Sequence, residues 1–498
     1  MSILKFPLVL LTLSALYAFG QEKDFSQEAA EKEALQKYEA AHPPRDSMPM
    51  PAPAEQEAFL GAHLVRSATL LATSTAQRRL PVKIIIYGQS ITGSSLFTAE
   101  MSNYLKAHFP HADITLENRC IGGFGASQII RTAPHDIFNA NADLIIFHVY
   151  GGEKTGELEE LFTGIRRYTT ADVLLMNHHV NGDQKKPNET SAAYLRYIAQ
   201  KYDCELADIS AEWPVYLETN NLAPKDLLRD NVHPNRNGNW LLAQLVGRHI
   251  RYNPLFPNPS YRSVQTYFTA PAFDKVNTSP ISYSGTPWRN EKGTAVSDSR
   301  NSKMKLTFHG NRVDVITELP STGTARILID GKPPTAYTMT RPSAGPGTWW
   351  PGIRKVSHIK PLIPEDWTLK IESINADTTV FTYSVHGTKT GNDGAGSSAE
   401  TFVSKSGRVV IEPSDVIFAN IKNTFKTAVP VGFITHWSVV PMFVDTFRAP
   451  DMTDKKKLYK TTLVWGLENG VHTLEVVPNG DGAVGVTGFE VYRPGVED

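Results

Sequence analysis

The chain has 498 residues, more than one ordinary core accommodates, so two or three domains are expected. Hydrophobic residues make up 41% and charged residues 20%, globular values that exclude a disordered or fibrous chain. Lys plus Arg is 50 against 51 Asp plus Glu, a formal net charge of -1, which leaves no basic field for nucleic acid or an anionic membrane surface.

Residues 1–20 read as a secretory signal, with Lys5 as the basic start, Phe6–Leu16 as the apolar core and Ala18-Phe19-Gly20 as the small-residue end. That run is short for a membrane anchor, no cysteine follows it for lipid attachment, and no other stretch is long and apolar enough to span a bilayer. The mature protein is expected to be secreted or periplasmic, and off the membrane once the signal is removed. Residues 21–59 hold a charged helix over 22–41 and a proline-rich linker with Pro43, Pro44, Pro49, Pro51 and Pro53. A second helix is expected over 55–77.

From Val82 the pattern alternates. Strands are expected at 82–87, 113–117, 143–149, 172–177 and 205–209. Helices are expected near 94–109, 125–132, 155–168, 189–202 and 237–250. This rhythm predicts an α/β fold over 60–258, a three-layer α/β/α domain around a parallel sheet. Pro254, Pro257 and Pro259 mark its end. Over 259–498, period-two runs such as Lys303–Phe308, Arg312–Ile316 and His472–Val477 dominate. The turn dipeptides Asp330-Gly331 and Asn479-Gly480 separate some of them. An all-β, jelly-roll-like sandwich region follows. The run 380–440 reads as an insertion or a second β-module. Cys120 and Cys204 are expected at opposite sheet edges, as two thiols rather than a bridge.

Gly88 breaks the β-branched run Val82–Tyr87, so Ser90 falls just past the strand end, where open α/β sheets place ligands. A serine nucleophile needs a base. Asp230-Asn231-Val232-His233 puts a carboxylate three residues before an imidazole, close enough to hold one ring nitrogen while the other faces a serine. A lone Gly-x-Ser is an ordinary turn; the combination points to a Ser90–His233–Asp230 triad.

Gly88-Gln89-Ser90 resembles the Gly-Asp-Ser block of the SGNH (GDSL-type) hydrolases, with Gln89 for the usual Asp. Asp230 and His233 match the family's Asp-x-x-His block. Asn118–Gly123 resembles the second block, whose glycine, here Gly123, lends a backbone N–H to the oxyanion hole. The third block, usually Gly-x-Asn-Asp, reads Gly151-Gly152-Glu153-Lys154, so Glu153 replaces the oxyanion asparagine. The resemblance covers roughly residues 60–255. It implies ester hydrolysis through an acyl-enzyme, with no metal and no cofactor. Ser90 attacks, His233 moves the proton, Asp230 orients His233, and the Ser90 and Gly123 N–H groups hold the oxyanion. Glu153 is either a neutral third donor or a carboxylate that binds a substrate hydroxyl or pairs with Lys154 or a histidine.

The pieces Leu328–Gly331 and Leu467–Leu474 resemble accessory β-domains of carbohydrate esterases. The resemblance therefore implies an acetylated carbohydrate as substrate and partner. Gln89, Glu153, His178 and His179 are the candidate substrate-binding residues. His178 and His179 follow the strand Val173–Met176 and either face the cleft or pack within the fold. Trp288, Trp349, Trp350, Trp437 and Trp465 either stack on sugar or fill the β core. Because of Glu153, a second reading stays open: an atypical site that only binds carbohydrate, or that carries lyase or glycosidase chemistry. The sequence leaves the oligomeric state open.

Overall fold

A computed structural model describes residues 48–182, 188–259, 261–274, 278–334, 340–342, 353, 356–416, 430–441 and 444–496. The signal segment, the helix expected over 22–41 and the pair Trp349-Trp350 lie outside the described residues.

Five strands form one parallel sheet in the order β2-β1-β3-β4-β5. They are β1 (Pro81–Gly88), β2 (Asp113–Asn118), β3 (Leu144–His148), β4 (Asp172–Met176) and β5 (Glu205–Ala207). β3 and β4 are buried along their whole length, as continuous apolar strands covered on both faces must be. Side chains alternate across the sheet. Ile85 and Tyr87 pack with Ile129, Leu161, Ile165, Leu195 and Ile198 from the helices Ala126–Ala133, Glu157–Tyr168 and Glu189–Lys201. Ile84 and Ile86, also buried, point the other way. The helices Ser95–His108 and Arg236–Gly247 pack on each other, so tightly that a Cβ on Gly247 would lie 2.7 Å from the Tyr104 ring. This is the three-layer fold expected from the sequence.

Two elements differ from that expectation. The helix expected over 55–77 is a 3-10 turn, Glu57–Phe59, followed by a helix, Val65–Thr73. Between them Gly61 has φ +79, and a Cβ there would sit 2.2 Å from the Arg251 carbonyl oxygen. No helix crosses that contact. A further helix, Ile209–Thr219, has no counterpart in the sequence reading. It carries Pro214 inside but buries Ile209, Trp213, Tyr216 and Leu217.

From residue 263 onward the named strands pair antiparallel. Ser302–Gly310, Thr324–Ile329 and Gly470–Pro478 belong to one sheet; Arg312–Thr317, Tyr459–Val464 and Gly488–Arg493 belong to another. Both contribute to one core, with Leu306, Ile327 and Val476 from the first and Val315, Leu463 and Phe489 from the second. A third sheet, including Glu365–Ile374, Phe381–Gly387 and Ile434–Pro441, has its own core of Trp367, Leu369, Tyr383 and Trp437. In the chain it falls between Thr324–Ile329 and Thr446–Arg448, which pair with each other. Trp288 and Trp437 are 5% and 4% exposed, so they fill cores rather than offering faces to sugar.

The antiparallel region is bonded to the parallel sheet at the edge opposite Ser90. Arg262 donates through Nη1 to Asp172 Oδ1 at 2.8 Å and to the carbonyls of Thr170 and Ala171 at 3.2 and 3.0 Å. Asn311 donates to the Tyr168 carbonyl at 3.1 Å, and the Gly495 N–H to the Arg166 carbonyl at 3.1 Å. Among the described residues, no helix is long and apolar enough to cross a membrane. Cys120 and Cys204 are both unpaired.

Candidate active site

Ser90 stands two residues past the end of β1. The strand reaches that point beside β3 only because residue 88 is glycine. Gly88 pairs with His148 and has φ +146, and a Cβ there would lie 1.7 Å from the His148 carbonyl oxygen. The turn after Ser90 closes through the Gly93 N–H, which donates to the Gln89 carbonyl at 2.8 Å. Ser94 then caps the helix Ser95–His108, accepting from the Leu96 N–H. Asn118, at the end of β2, ties the turn down. Its Nδ2 donates to the Thr92 carbonyl at 2.8 Å and to Thr98 Oγ1 at 2.7 Å.

The loop 227–235 brings the other two groups. It closes on itself through the Arg229 N–H to the His233 carbonyl and the Asn235 N–H to the Leu227 carbonyl, both 2.9 Å. Asn235 caps the helix Arg236–Gly247. Asp230 Oδ1 accepts the backbone N–H groups of Val232 and His233, each at 2.7 Å. Its Oδ2 accepts from His233 Nδ1 at 2.9 Å. On the far side of the ring, Nε2 lies 2.9 Å from Ser90 Oγ. With Nδ1–H given to a carboxylate, Nε2 is left as an acceptor facing the Ser90 hydroxyl. Burial works against an ionised Asp230. The N–H bonds from His233 and Val232 and the His233 ring outweigh it, holding the carboxyl below its usual range. It is therefore a carboxylate at neutral pH.

Cys120 Sγ is 3.3 Å from Thr92 Oγ1, and burial pushes its pKa up to about 12.

Of the other predicted residues, Gln89 is buried, 7% exposed. Within the described residues, the N–H groups of Ser90 and Gly123 donate to no acceptor. Glu153 accepts from Ser191 Oγ at 2.6 Å. Ser191 stands in the first turn of the helix Glu189–Lys201, whose cap Asn188 accepts the Ser191 N–H. Ser191 had no sequence signal tying it to Glu153, since 38 residues separate them. His178 is half-buried, its Nδ1 3.0 Å from His148 Nε2, with the Tyr150 ring stacked on it at 4.0 Å. Burial lowers its pKa to about 4, against the pull of the Glu153 carboxylate. His179 differs from the cleft-facing alternative. It is 3% exposed, and its Nε2 donates to the Val232 carbonyl at 2.7 Å. It touches the loop that carries Asp230 and His233 rather than an open cleft.

Among the described residues, no group of three His, Cys, Asp or Glu side chains is arranged to hold a metal ion. A cavity of about 240 Å³, lined by residues including Arg66, Asp172, Arg262 and Glu490, lies at the opposite sheet edge from Ser90.

The parallel sheet, the serine turn after β1 and the Asp-x-x-His loop come together as the sequence motifs lead one to expect. No protein-family model matches the chain, and no curated protein matches it. Solved structures similar to it include a two-domain esterase active on acetylated mannans, co-crystallized with mannopentaose. That match has 15% identity and a TM-score of 0.32, and covers 87% of this chain and 96% of the other. The acetyl xylan esterase AlAXEase matches at 22% identity and a TM-score of 0.28, over 33% of this chain and 97% of its own. A catalytic mutant of Axe2, an acetylxylan esterase from Geobacillus stearothermophilus, matches at 20% identity and a TM-score of 0.31, over 37% of this chain and 100% of its own. The geometry of Ser90, His233 and Asp230 stands independently of these matches.

Proposed function

We propose that this protein is an exported serine esterase that removes O-acetyl groups from a polysaccharide or oligosaccharide. The observation that carries the reading is the continuous series Ser90 Oγ, His233 Nε2, His233 Nδ1 and Asp230 Oδ2, with both contacts at 2.9 Å. In this reading Ser90 attacks the acetyl carbonyl while His233 takes its proton. Asp230 keeps the ring in the tautomer that can accept it. The N–H groups of Ser90 and Gly123, which donate to no acceptor among the described residues, hold the tetrahedral oxyanion. His233 then returns the proton to the leaving sugar oxygen. Water repeats the sequence on the acetyl-enzyme and frees Ser90.

In this reading Glu153 is anchored by Ser191 Oγ, which donates to its Oε1 at 2.6 Å, and binds a substrate hydroxyl. Beside half-buried His178 it forms a polar wall suited to sugar hydroxyls. The carbohydrate preference and the export rest on the resemblance and on residues 1–20.

The test is acetate release from acetylated glycans, mannan and xylan included, together with hydrolysis of a chromogenic acetyl ester. Wild type should act on both and Ser90→Ala on neither. Sugar binding without any ester cleavage would favour the purely carbohydrate-binding alternative.

A further inference from the structure

We propose that His179 is a positioning residue for the triad, clamping from below the loop that carries Asp230 and His233. The proposal rests on the triad reading above.

Asp230 needs such a clamp. Its side chain is 51% exposed and sits on a loop, so packing alone holds it poorly. The segment following β4 grips that loop at two consecutive carbonyls. His179 Nε2 lies 2.7 Å from the Val232 oxygen, and the Gly182 N–H donates to the Asn231 oxygen at 2.8 Å. A carbonyl oxygen only accepts, so Nε2 carries the imidazole proton.

The Val232 carbonyl belongs to the same peptide unit as the His233 N–H. That N–H donates to Asp230 Oδ1 at 2.7 Å. The peptide plane is thus held at both ends, by His179 at its oxygen and by Asp230 at its hydrogen. Fixing the plane fixes the direction from which Asp230 is held, and Asp230 in turn sets the His233 ring. The series continues to Ser90 Oγ, 2.9 Å from His233 Nε2.

His179 is suited to this role and to no direct one. It is 3% exposed, and its ring lies 5.2 Å from that of Trp213, from the helix Ile209–Thr219. Burial lowers its pKa to about 4, against its bond to Val232, so it is a neutral donor at working pH. Its Nδ1 is buried and has no partner among the described residues.

The test compares His179→Leu, which removes the donor at similar volume, with His179→Gln, which keeps an N–H donor. On a small chromogenic acetyl ester, the Leu variant should lose on the order of 10²-fold in kcat with little change in KM. The far-downfield proton resonance of His233 Nδ1–H should weaken with it. The Gln variant should retain most of the kcat and the resonance. Thermal unfolding checks that both variants are folded. A Leu variant with wild-type kcat and resonance overturns the proposal. So does an equal loss in Leu and Gln variants accompanied by an equal drop in unfolding temperature, since that is packing alone. A wild type inactive on every ester would overturn the esterase reading instead. The resonance, read without turnover, would still decide for or against the clamp.

Discussion

Replacing Arg262 with Met should destabilise the protein severely while leaving its chemistry intact. Arg262 is 4% exposed and its partner Asp172 is 1% exposed. Met keeps much of the apolar stem but removes the charge. Asp172 Oδ2 keeps its bonds from the Ser67 N–H and hydroxyl, both at 2.8 Å, while Oδ1 loses its cation. The carbonyls of Thr170 and Ala171 lose a donor as well. Removing one partner of a buried ion pair costs about 3–5 kcal/mol, because the other charge is left without compensation. At about 1.4 kcal/mol per factor of ten, the folding equilibrium weakens by roughly 10²- to 10³-fold or more. Asp172 begins β4 and Ser90 follows the end of β1, so the two lie at opposite edges of the parallel sheet. Turnover of the folded variant at low temperature should stay within about two-fold of wild type, since the reacting groups keep their positions. The assay is denaturant unfolding, followed in parallel by circular dichroism and by ester hydrolysis. Adding Asp172→Asn should recover part of the loss by removing the stranded charge. A loss below about 1 kcal/mol, the range of exposed pairs, would refute the reasoning, as would a second substitution that only adds damage.

Three further outcomes follow from the site and its supports. Glu153→Gln should raise KM on acetylated glycan and spare, or improve, a small activated ester; equal loss in Glu153→Gln and Glu153→Ala on every ester would contradict a substrate-binding carboxylate. Gly88→Ala places a Cβ 1.7 Å from the His148 carbonyl, so the strand end must move and ester hydrolysis should fall by at least about 10²-fold. A folded, fully active Gly88→Ala would show that this approach does not set the position of Ser90. His63 has its pKa raised by its hydrogen bond to Asp203, with burial opposing. A raised histidine contributes stability that is fully present below its unfolded pKa and lost as pH rises through the folded one. Wild type should therefore lose more stability between about pH 6 and pH 8 than His63→Gln, and equal slopes would exclude the contribution.

The parallel sheet was legible because its strands are short apolar runs set between helical periods, and burial on both faces leaves that pattern in the sequence. Ser90, Asp230 and His233 were legible because spacing within each motif fixes local geometry. Ile209–Thr219 could have been found: Ile209, Trp213, Tyr216 and Leu217 follow the helical period, and all four are buried around Pro214. One missing N–H was outweighed by that face. The helix expected over 55–77 failed at Gly61, where a contact with Arg251, far along the chain, decides the backbone. Other long-range pairs left no local trace. Ser191 beneath Glu153, Arg262 on Asp172 and His179 on the Val232 carbonyl are each set by the fold, not by neighbours in sequence.

The central claim is that Ser90 carries the acyl group. An activated phosphonate ester, followed by peptide mapping in a mass spectrometer, tests it most directly. One adduct per chain is predicted, on the peptide containing Ser90, rising in step with the loss of ester hydrolysis and sharply slowed in His233→Ala. Hydrolysis that persists after full labelling of Ser90, or an adduct on any other residue that tracks the loss, would contradict the account.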